Sequence, residues 1–351
     1  MGTTKIFNGK QKVKVAIAQT PPIFMDLAAS TEKACRAIIE AGEHGAELIA
    51  FPEAWLPGYP CWEEHLASEV LPWANTRVLM YDNALVIPSR ETDALCEAAK
   101  QARCNVVMGC NELDSSPANH TIYNTLLYID SEGEIVGRHR KLTPTHAERA
   151  IWGVGDGSDL QVYETGIGRI AGLICGENSS SLFRYHLIAQ GVQIHVMSYP
   201  GAATLDGPRM HEPDDIGTEF FGYPIARAHA LEAGCFVLLV CGYFTEDQYP
   251  EDFPLKDKLF FDDFRGGSCM FAPGGMPLLE PVYGDRIVYG EFDADMIKMG
   301  KAVIDSVGHY ARPDVVRLDW KPPLKRWQPI RTPASTQNTD GDTEAEKEIA
   351  T

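Results

Sequence analysis

The stretch that decides the fold is RIAGLICGENS, residues 169–179, in which an apolar run stops at a cysteine and gives way to polar residues. The run Arg169–Cys175 predicts a strand, and Leu182–Gln190 has helical spacing directly after it. The thiol of Cys175 is therefore expected at a strand-to-helix elbow. Ligands collect at this end of the sheet in open α/β folds, which makes Cys175 a candidate catalytic residue.

Strands and helices alternate outward from this stretch in both directions. Strands are predicted at Lys12–Gln19, Ala46–Pro52, Cys104–Cys110, Val192–Tyr199 and Cys235–Tyr243, hairpins at Ile122–Ile129 with Glu134–Arg140 and at Ser268–Ala272 with Ile287–Asp293, and helices at Leu27–His44, Thr92–Arg103 and Ile216–Ala233. Such interleaving predicts a single α/β domain over residues 1–320, with sheets covered by helices. Residues 321–351 form a polar tail with few apolar residues, expected to be mobile or used in assembly.

The composition excludes several classes of protein. With 351 residues, 44% of them hydrophobic, the chain can build a core without disulfides or a structural metal. Its nine cysteines form no CxxC pair and, Cys175 apart, are read as small buried hydrophobes. The sequence has no Walker A, no GxGxxG after a strand and no HExxH, so neither a cofactor nor a metal is expected.

Charge and hydropathy indicate the cellular context. A formal net charge of −18 argues against nucleic acid as a partner, because such binding needs a basic surface. The polar N-terminus lacks the apolar core of a signal peptide, and the longest apolar runs are too short to span a bilayer. We therefore expect a cytoplasmic protein with no membrane partner.

Two further reactive side chains follow predicted strands. Glu53 lies in FPEAWLPGYP, residues 51–60, where burial would raise the pKa of its carboxyl toward that of a general base. Lys141 lies in GRHRKLTPTHAER, residues 137–149, where it could stabilise developing negative charge. Each has an ordinary alternative: Glu53 as a cap, and the basic run as a solvated face, an interpretation that suits Arg138 and Arg140 best.

The thiol of Cys175 has its own alternative, since an isolated cysteine is usually a buried hydrophobe. The polar residues that follow it make full burial unfavourable unless they find partners. A helix beginning near Ser180 would turn its positive end toward the thiol. This geometry is expected to lower the pKa of Cys175 and supply thiolate near neutral pH.

Taken together, these segments resemble the nitrilase superfamily of carbon–nitrogen hydrolases, from about Val13 to Leu318. The residues 51–53, 139–149 and 175 are similar to the family's glutamate, lysine and cysteine motifs. Further similar blocks are 123–125, 227–232, 266–275 and 308–314, the last of them typical of true nitrilases. The resemblance implies a four-layer αββα sandwich that is dimeric and often extends into spiral filaments.

The resemblance also implies roles for individual residues. Cys175 becomes the nucleophile, Glu53 the general base, Lys141 the charge stabiliser and Glu148 a second glutamate that supports the lysine. Substrate-pocket positions are expected at Tyr59, Gly176, Glu177, Asn178 and Pro200. Family members commonly carry tryptophan where this chain has Gly176, so the pocket is expected to be larger or looser there.

The implied reaction is hydrolysis of a small-molecule nitrile to a carboxylic acid and ammonia through a covalent thioimidate and thioester, with some amide as a possible second product. An amidase with the same triad and a cyanide-hydrating enzyme are alternatives. A catalytically inert homologue that forms filaments or binds a partner is an alternative from a different class. Comparing the turnover of matched nitriles and amides separates the nitrilase from the amidase.

Overall fold

The computed structural model describes residues 5–61, 70–116, 120–201, 222–253, 255 and 264–319. The first part of the helix predicted at Ile216–Ala233 and the whole predicted tail 321–351 lie outside these residues. The statements below concern the described part of the chain.

Strands make up most of the interior of the described chain. Their bounds are β1 Lys12–Gln19, β2 Leu48–Ala50, β3 Leu85–Val86, β4 Asn105–Leu113, β5 Ile122–Ile129, β6 Ile135–Arg140, β7 Tyr163–Thr165, β8 Gly168–Ile174, β9 Ile194–Tyr199, β10 Phe236–Cys241, β11 Tyr243–Phe244, β12 Phe264–Ala272, β13 Met276–Tyr283 and β14 Arg286–Asp293.

The helices lie outside the strands. Their bounds are α1 Leu27–Glu43, α2 Val70–Asn83, α3 Arg90–Ala102, α4 Ser181–Ala189, α5 Gly222–Ala233 and α6 Ala294–Val303. Side-chain caps set several of their first turns, as in α1, where the carboxylate of Asp26 accepts a hydrogen bond from the backbone N–H of Ala29 at 2.9 Å. A capping box between Ser89 and Thr92 starts α3 in the same way.

The strands form two seven-stranded mixed sheets in the described residues. The first sheet has the order β14-β1-β2-β4-β5-β6, with β3 paired to β4, and the second has the order β11-β12-β10-β9-β8-β7, with β13 paired to β12. Within the first sheet, β1, β2 and β4 run parallel, as do β8, β9 and β10 within the second.

The two sheets pack face to face and helices cover their outer faces. Alternate residues of each strand point to opposite faces, so Leu126 lies between the sheets whereas its neighbour Leu127 packs toward α1 and α3. In the second sheet Ile174 points inward, and Leu173 packs outward with residues of α4 and α5. This arrangement is the predicted αββα sandwich.

One predicted pairing is wrong. The segments Ser268–Ala272 and Ile287–Asp293 do not form a hairpin with each other. Instead β12 pairs with β13, a strand that we did not predict, and β14 crosses to pair antiparallel with β1 in the first sheet. The pairing of β14 joins positions as distant as Lys12 and Asp293, and a hydrophobic pattern read along the chain does not reveal such a partner.

Candidate active site

Three strand ends bring Glu53, Lys141 and Cys175 into one cluster. Glu53 comes shortly after β2, Lys141 directly after β6, and Cys175 directly after β8 in the other sheet. One carboxylate oxygen of Glu53, one of Glu148 and the Sγ of Cys175 all lie within 4.8 Å of one another. The structure thus places the four predicted catalytic side chains together, across the gap between the two sheets.

The backbone at Glu53 is fixed by both sheets. Its N–H donates to the carbonyl oxygen of Tyr199, at the end of β9, at 3.3 Å. On the other side, the loop passes so close to β4 that a Cβ on Gly109 would lie 1.9 Å from the carbonyl oxygen of Pro52. Gly109 therefore permits the close approach that sets the position of the glutamate.

The ammonium group of Lys141 holds two carboxylates. Its Nζ lies 2.7 Å from Oε1 of Glu53 and 2.6 Å from Oε2 of Glu148, and the side chain is fully buried. Burial alone would lower the pKa of Lys141, but the charges of Glu53 and Glu148 raise it well above its ordinary value. Lys141 is therefore a fixed positive charge in this cluster. The ring centroid of Trp152 lies 5.6 Å from the same nitrogen.

The carboxyl group of Glu53 has one engaged oxygen and one spare oxygen. Oε1 accepts hydrogen bonds from Lys141 and, at 2.7 Å, from Nδ2 of Asn124. Oε2 is buried and has no hydrogen-bond partner among the described residues. Burial raises the pKa of Glu53 to about 7, and Glu148 adds to the rise while Lys141 opposes it. A carboxylate in this state can accept a proton near neutral pH.

Glu148 supports the cluster from a short 3₁₀ helix, His146–Ala150. Its Oε2 accepts from the backbone N–H of Thr145 at 2.6 Å as well as from Lys141, and its Oε1 accepts from the hydroxyl of Tyr59 at 2.8 Å. Both oxygens are thus occupied. This saturation suits a residue that positions the lysine rather than one that accepts a proton.

The thiol of Cys175 does not have the lowered pKa that we expected. Burial raises the pKa of Cys175 well above its ordinary value, the carboxylates of Glu53 and Glu148 raise it further, and Lys141 only partly offsets them. The helix begins where we predicted, with Ser180 as its N-cap, but a 3₁₀ turn, Cys175–Ser179, lies between it and the thiol. The resting thiol is consequently protonated, and its activation needs a base.

The backbone at Cys175 has an uncommon conformation. Its φ of 49° lies in the left-handed region, which residues with a side chain seldom adopt. The amide of Asn178 stabilises this turn by donating to the carbonyl oxygens of Leu173 and Cys175, each at 3.0 Å. A sharp turn of this kind at the end of β8 directs the thiol toward Glu53.

Gly176 does not open space beside the nucleophile. A Cβ at this position would lie 2.7 Å from the hydroxyl oxygen of Thr145, so the lysine loop already fills the place of a side chain. The expectation of a larger pocket at this point is therefore not supported by the packing. The missing side chain instead lets two catalytic loops approach each other.

The remaining predicted pocket positions fall into two groups. Tyr59 and Pro200 line a small, mostly apolar cavity beside Glu53, together with aromatic residues such as Phe24 and Phe264. Glu177 and Asn178 do not line this cavity. Their side chains are buried and their polar atoms bind other parts of the fold.

The basic run before Lys141 is more than a solvated face. The guanidinium groups of Arg138 and Arg140 both bind the buried carboxylate of Glu112, on the outer side of the first sheet. The side chain of Arg140 is only 15% exposed and stacks on Tyr123, with 3.9 Å between the guanidinium carbon and the ring centroid. The interpretation as a solvated face was therefore wrong for Arg140.

Two residues of the cluster were not predicted as site residues. Asn124 was noted only as part of a block resembling the family, although its amide donates to Glu53. Trp152 lies beneath the ammonium of Lys141, and its indole N–H donates to Oδ1 of Asn111 at 2.8 Å. A signal for Asn124 was available, since a polar residue in an apolar strand requires a partner when it is buried.

The cluster also contains ligand atoms of types that bind metals. Glu53, Glu148 and Cys175 could together offer two carboxylates and a thiolate. However, the ammonium of Lys141 is bonded to both glutamates and already compensates their charge. The donor set therefore suits acid–base and nucleophilic chemistry.

No described helix is both long enough and apolar enough to cross a bilayer.

Comparison with known proteins agrees with this geometry. A family model described as "Carbon-nitrogen hydrolase" matches residues 14–301. "Nitrilase 2" from an unknown prokaryotic organism is 38% identical over 313 residues, which cover 88% of this chain and 92% of that protein. "Aliphatic nitrilase" from Rhodococcus rhodochrous is 35% identical over 317 residues, covering 88% and 79%.

Solved structures share the fold. The crystal structure of Saccharomyces cerevisiae Nit3, described as a member of branch 10 of the nitrilase superfamily, superposes with a TM-score of 0.64. It is 19% identical in sequence, and the match covers 88% of this chain and 99% of that one. At this level of identity the likeness supports the αββα fold alone.

Proposed function

The chain belongs to the carbon–nitrogen hydrolase family and to its nitrilase branch, and from that membership we propose that it hydrolyses an organic nitrile to a carboxylic acid and ammonia. The observation that carries the proposal is the spare oxygen of Glu53. It belongs to a carboxyl group with a pKa near 7 and lies in a cluster with a protonated thiol and a fixed ammonium.

The first step is activation of the nucleophile. A nitrile carbon is a weak electrophile, so a thiolate is needed to attack it. The surroundings hold the proton on Cys175 at rest, and Glu53 removes it through its free oxygen as the sulfur approaches the substrate. The pair thereby produces thiolate only when a substrate is in place.

The attack forms a carbon–sulfur bond and converts the nitrile into a thioimidate. Negative charge builds on the substrate nitrogen, which takes up the proton that Glu53 received from the thiol. Lys141 supplies positive charge to this cluster and lowers the energy of the developing anion. Because its ammonium is fixed by Glu53 and Glu148, little reorganisation is required during the step.

Two additions of water complete the turnover. Water adds to the thioimidate carbon, and the tetrahedral intermediate expels ammonia to leave a thioester on Cys175. Glu53 then takes a proton from a second water, whose oxygen displaces the sulfur and releases the carboxylic acid. If the first tetrahedral intermediate expels sulfur instead of ammonia, the product is an amide.

The lining of the described cavity supports a nitrile with an apolar substituent. Beside Glu53 its walls are mainly aromatic rings and proline, so they favour an apolar substituent on the reacting carbon. Tyr59 stands at the border between this cavity and the catalytic cluster, since its hydroxyl donates to Glu148. We place the substituent of the nitrile against Tyr59 and Phe264.

Measurement of ammonia and amide release over a panel of aliphatic, aromatic and arylacetonitriles tests the proposal. Wild-type protein should release ammonia from at least one nitrile and react much more slowly with the matched amide. Cys175→Ala should release none. Faster turnover of the amides, or ammonia release by Cys175→Ala, would contradict the proposed reaction.

The setting of the enzyme is part of the same proposal. We place it in the cytoplasm as a single catalytic domain over residues 1–320, self-associated as a dimer and in longer spirals. Exposed apolar side chains on and after α6, among them Met299, Val303 and Tyr310, support self-association because they suit a covered surface. Light scattering of the full chain measures the assembly directly.

A further inference from the structure

We propose that Glu177 is a positioning residue that ties the lysine strand to the nucleophile turn, so that Lys141 and Cys175 keep their relative placement during catalysis. The inference deepens the proposed function and rests on it for the nature of the reaction. It assigns to Glu177 a role other than the substrate contact expected from its place next to the nucleophile motif.

The carboxylate of Glu177 binds the residue next to each of two catalytic residues. Oε2 accepts a hydrogen bond from the backbone N–H of Ile174, which directly precedes Cys175, at 3.0 Å. Oε1 accepts from the backbone N–H of Leu142, which directly follows Lys141. One rigid carboxylate therefore joins the two backbones within one residue of the reacting groups.

A third bond crosses the sandwich. Oε2 of Glu177 lies 3.0 Å from Nε2 of His139, two residues before Lys141 on the same face of β6. The carboxylate oxygen accepts in this contact, and Nε2 of the imidazole is the donor. The second contact with β6 fixes the direction of this strand relative to β8, as well as its distance.

The burial of Glu177 shows that these contacts are its role. The residue is 1% exposed and His139 is equally buried, so no oxygen is left to face a substrate. A buried carboxylate is costly unless its hydrogen bonds are satisfied, and here each oxygen has a donor. The two catalytic loops meet again at Gly176, where the hydroxyl of Thr145 fills the side-chain position.

Replacement by glutamine should expose this role without changing the shape of the side chain. The two backbone N–H groups bind different oxygens, and an amide has only one oxygen. In either orientation the NH₂ of Glu177→Gln faces a backbone donor, at Ile174 or at Leu142, and one tie is lost. A misplacement of about 1 Å can cost roughly 100-fold in rate.

The test compares full-length wild type and Glu177→Gln in two assays. The first measures kcat and KM with a nitrile that the wild type hydrolyses, and the second measures alkylation of Cys175 by iodoacetamide with peptide-level mass spectrometry. We expect kcat to fall roughly 10–100-fold with KM within about twofold. Alkylation of Cys175 should slow by a similar factor, while the partly exposed Cys35 and Cys96 react as in the wild type.

Glu112→Gln is the matched control. Glu112 is also 1% exposed and also binds three side chains near β6, but none of its contacts involves the backbone next to Lys141 or Cys175. Its replacement should leave kcat within about twofold. Equal losses of kcat in the two variants would overturn the proposal, because the effect would then be a general loss of packing.

If Glu177→Gln does not fold, variants of His139 probe the same contact from the other side. His139→Gln retains a donor toward Glu177 and should keep more of kcat than His139→Leu, which has none. Equal rates for these two, or unchanged alkylation of Cys175 in Glu177→Gln, would refute the positioning role. If the wild type hydrolyses no nitrile, the proposed function fails, and the alkylation rates still decide the role of Glu177.

Discussion

Strands β5 and β6 carry two buried ion clusters, one on each face of the first sheet. The clusters differ in how many oxygens of their central carboxylate have hydrogen-bond donors. On the outer face, each oxygen of Glu112 has two donors, supplied by Thr125, Arg138 and Arg140. On the inner face, only one oxygen of Glu53 has donors among the described residues, and they come from Asn124 and Lys141. Neighbouring residues on the same strands thus build a saturated cluster and an unsaturated one.

This difference in hydrogen bonding distinguishes a carboxylate that stabilises the fold from one that takes part in catalysis. Both oxygens of Glu112 are engaged by donors, so neither is free to act on a reacting group. The unsaturated Glu53 is destabilised as an anion, so burial raises its pKa to about 7 and the free oxygen can receive the proton of Cys175. The incomplete hydrogen bonding of Glu53 costs stability and makes the carboxylate a better proton acceptor.

The largest expected effect on kcat comes from replacing Lys141, the cation of the inner cluster. Lys141→Met keeps the length of the side chain but leaves Glu53 and Glu148 buried without their shared charge. We expect kcat to fall by at least roughly 1000-fold, since a developing anion loses its stabilising group. Steady-state ammonia release measures it.

Arg140→Met supplies the counterpart on the outer face. It should lower the thermal midpoint and leave kcat within about threefold, because Arg140 does not touch the reacting groups. If Arg140→Met lowered kcat as much as Lys141→Met, the distinction between a structural outer cluster and a catalytic inner cluster would be contradicted.

The next effect separates the two carboxylates. Glu53→Gln removes the proton acceptor, so kcat should fall by roughly 100- to 10,000-fold. Its stability should be kept, because an amide in this place avoids burying a charge that the fold disfavours. Thermal unfolding and kcat, measured on the same preparation, should therefore move independently.

Glu112→Gln should show the reverse pattern. Loss of the charge that binds Arg138 and Arg140 should lower the free energy of unfolding by roughly 1–3 kcal/mol while kcat is kept. Urea unfolding gives this value. If Glu53→Gln lowered the free energy of unfolding and Glu112→Gln left it unchanged, the assignment of Glu112 as structural and Glu53 as catalytic would be contradicted.

The smallest effect concerns the contact between catalytic loops. Gly176→Ala adds a Cβ that meets the hydroxyl of Thr145, and that hydroxyl can move only by turning about its own side-chain bond. Because the backbone N–H of Thr145 binds Glu148, the shift should lower kcat a few-fold, roughly 2- to 10-fold. The double variant with Thr145→Ala should recover part of that loss, and no recovery would place the effect elsewhere.

Much of this could be predicted from the sequence because it depends on neighbours along the chain. The strands before Glu53, Lys141 and Cys175 were visible in apolar runs, and the rise in the pKa of Glu53 followed from its place after a buried strand. The resemblance to a known family then joined these three positions and added Glu148.

What escaped prediction depends on partners far away in sequence. The thiol of Cys175 was expected to be acidic from the helix that follows it, but burial, together with two carboxylates from other loops, raises its pKa instead. The side chain of Glu177 was expected in the pocket, yet two of its three partners lie more than thirty positions earlier, at His139 and Leu142. The sequence around a buried polar residue shows that its side chain needs hydrogen-bond partners. It does not show which distant residues supply them.

The most direct test of the central claim is the dependence of kcat/KM on pH in the wild type. Glu53 must be ionised to take the proton of Cys175, and its raised pKa means that it becomes protonated as the pH falls through about 7. We expect full kcat/KM above this pH and a tenfold loss for each pH unit below it, and Glu112→Gln should show the same loss at acid pH. A profile that stays flat down to about pH 5 would contradict the assignment of Glu53 as the general base.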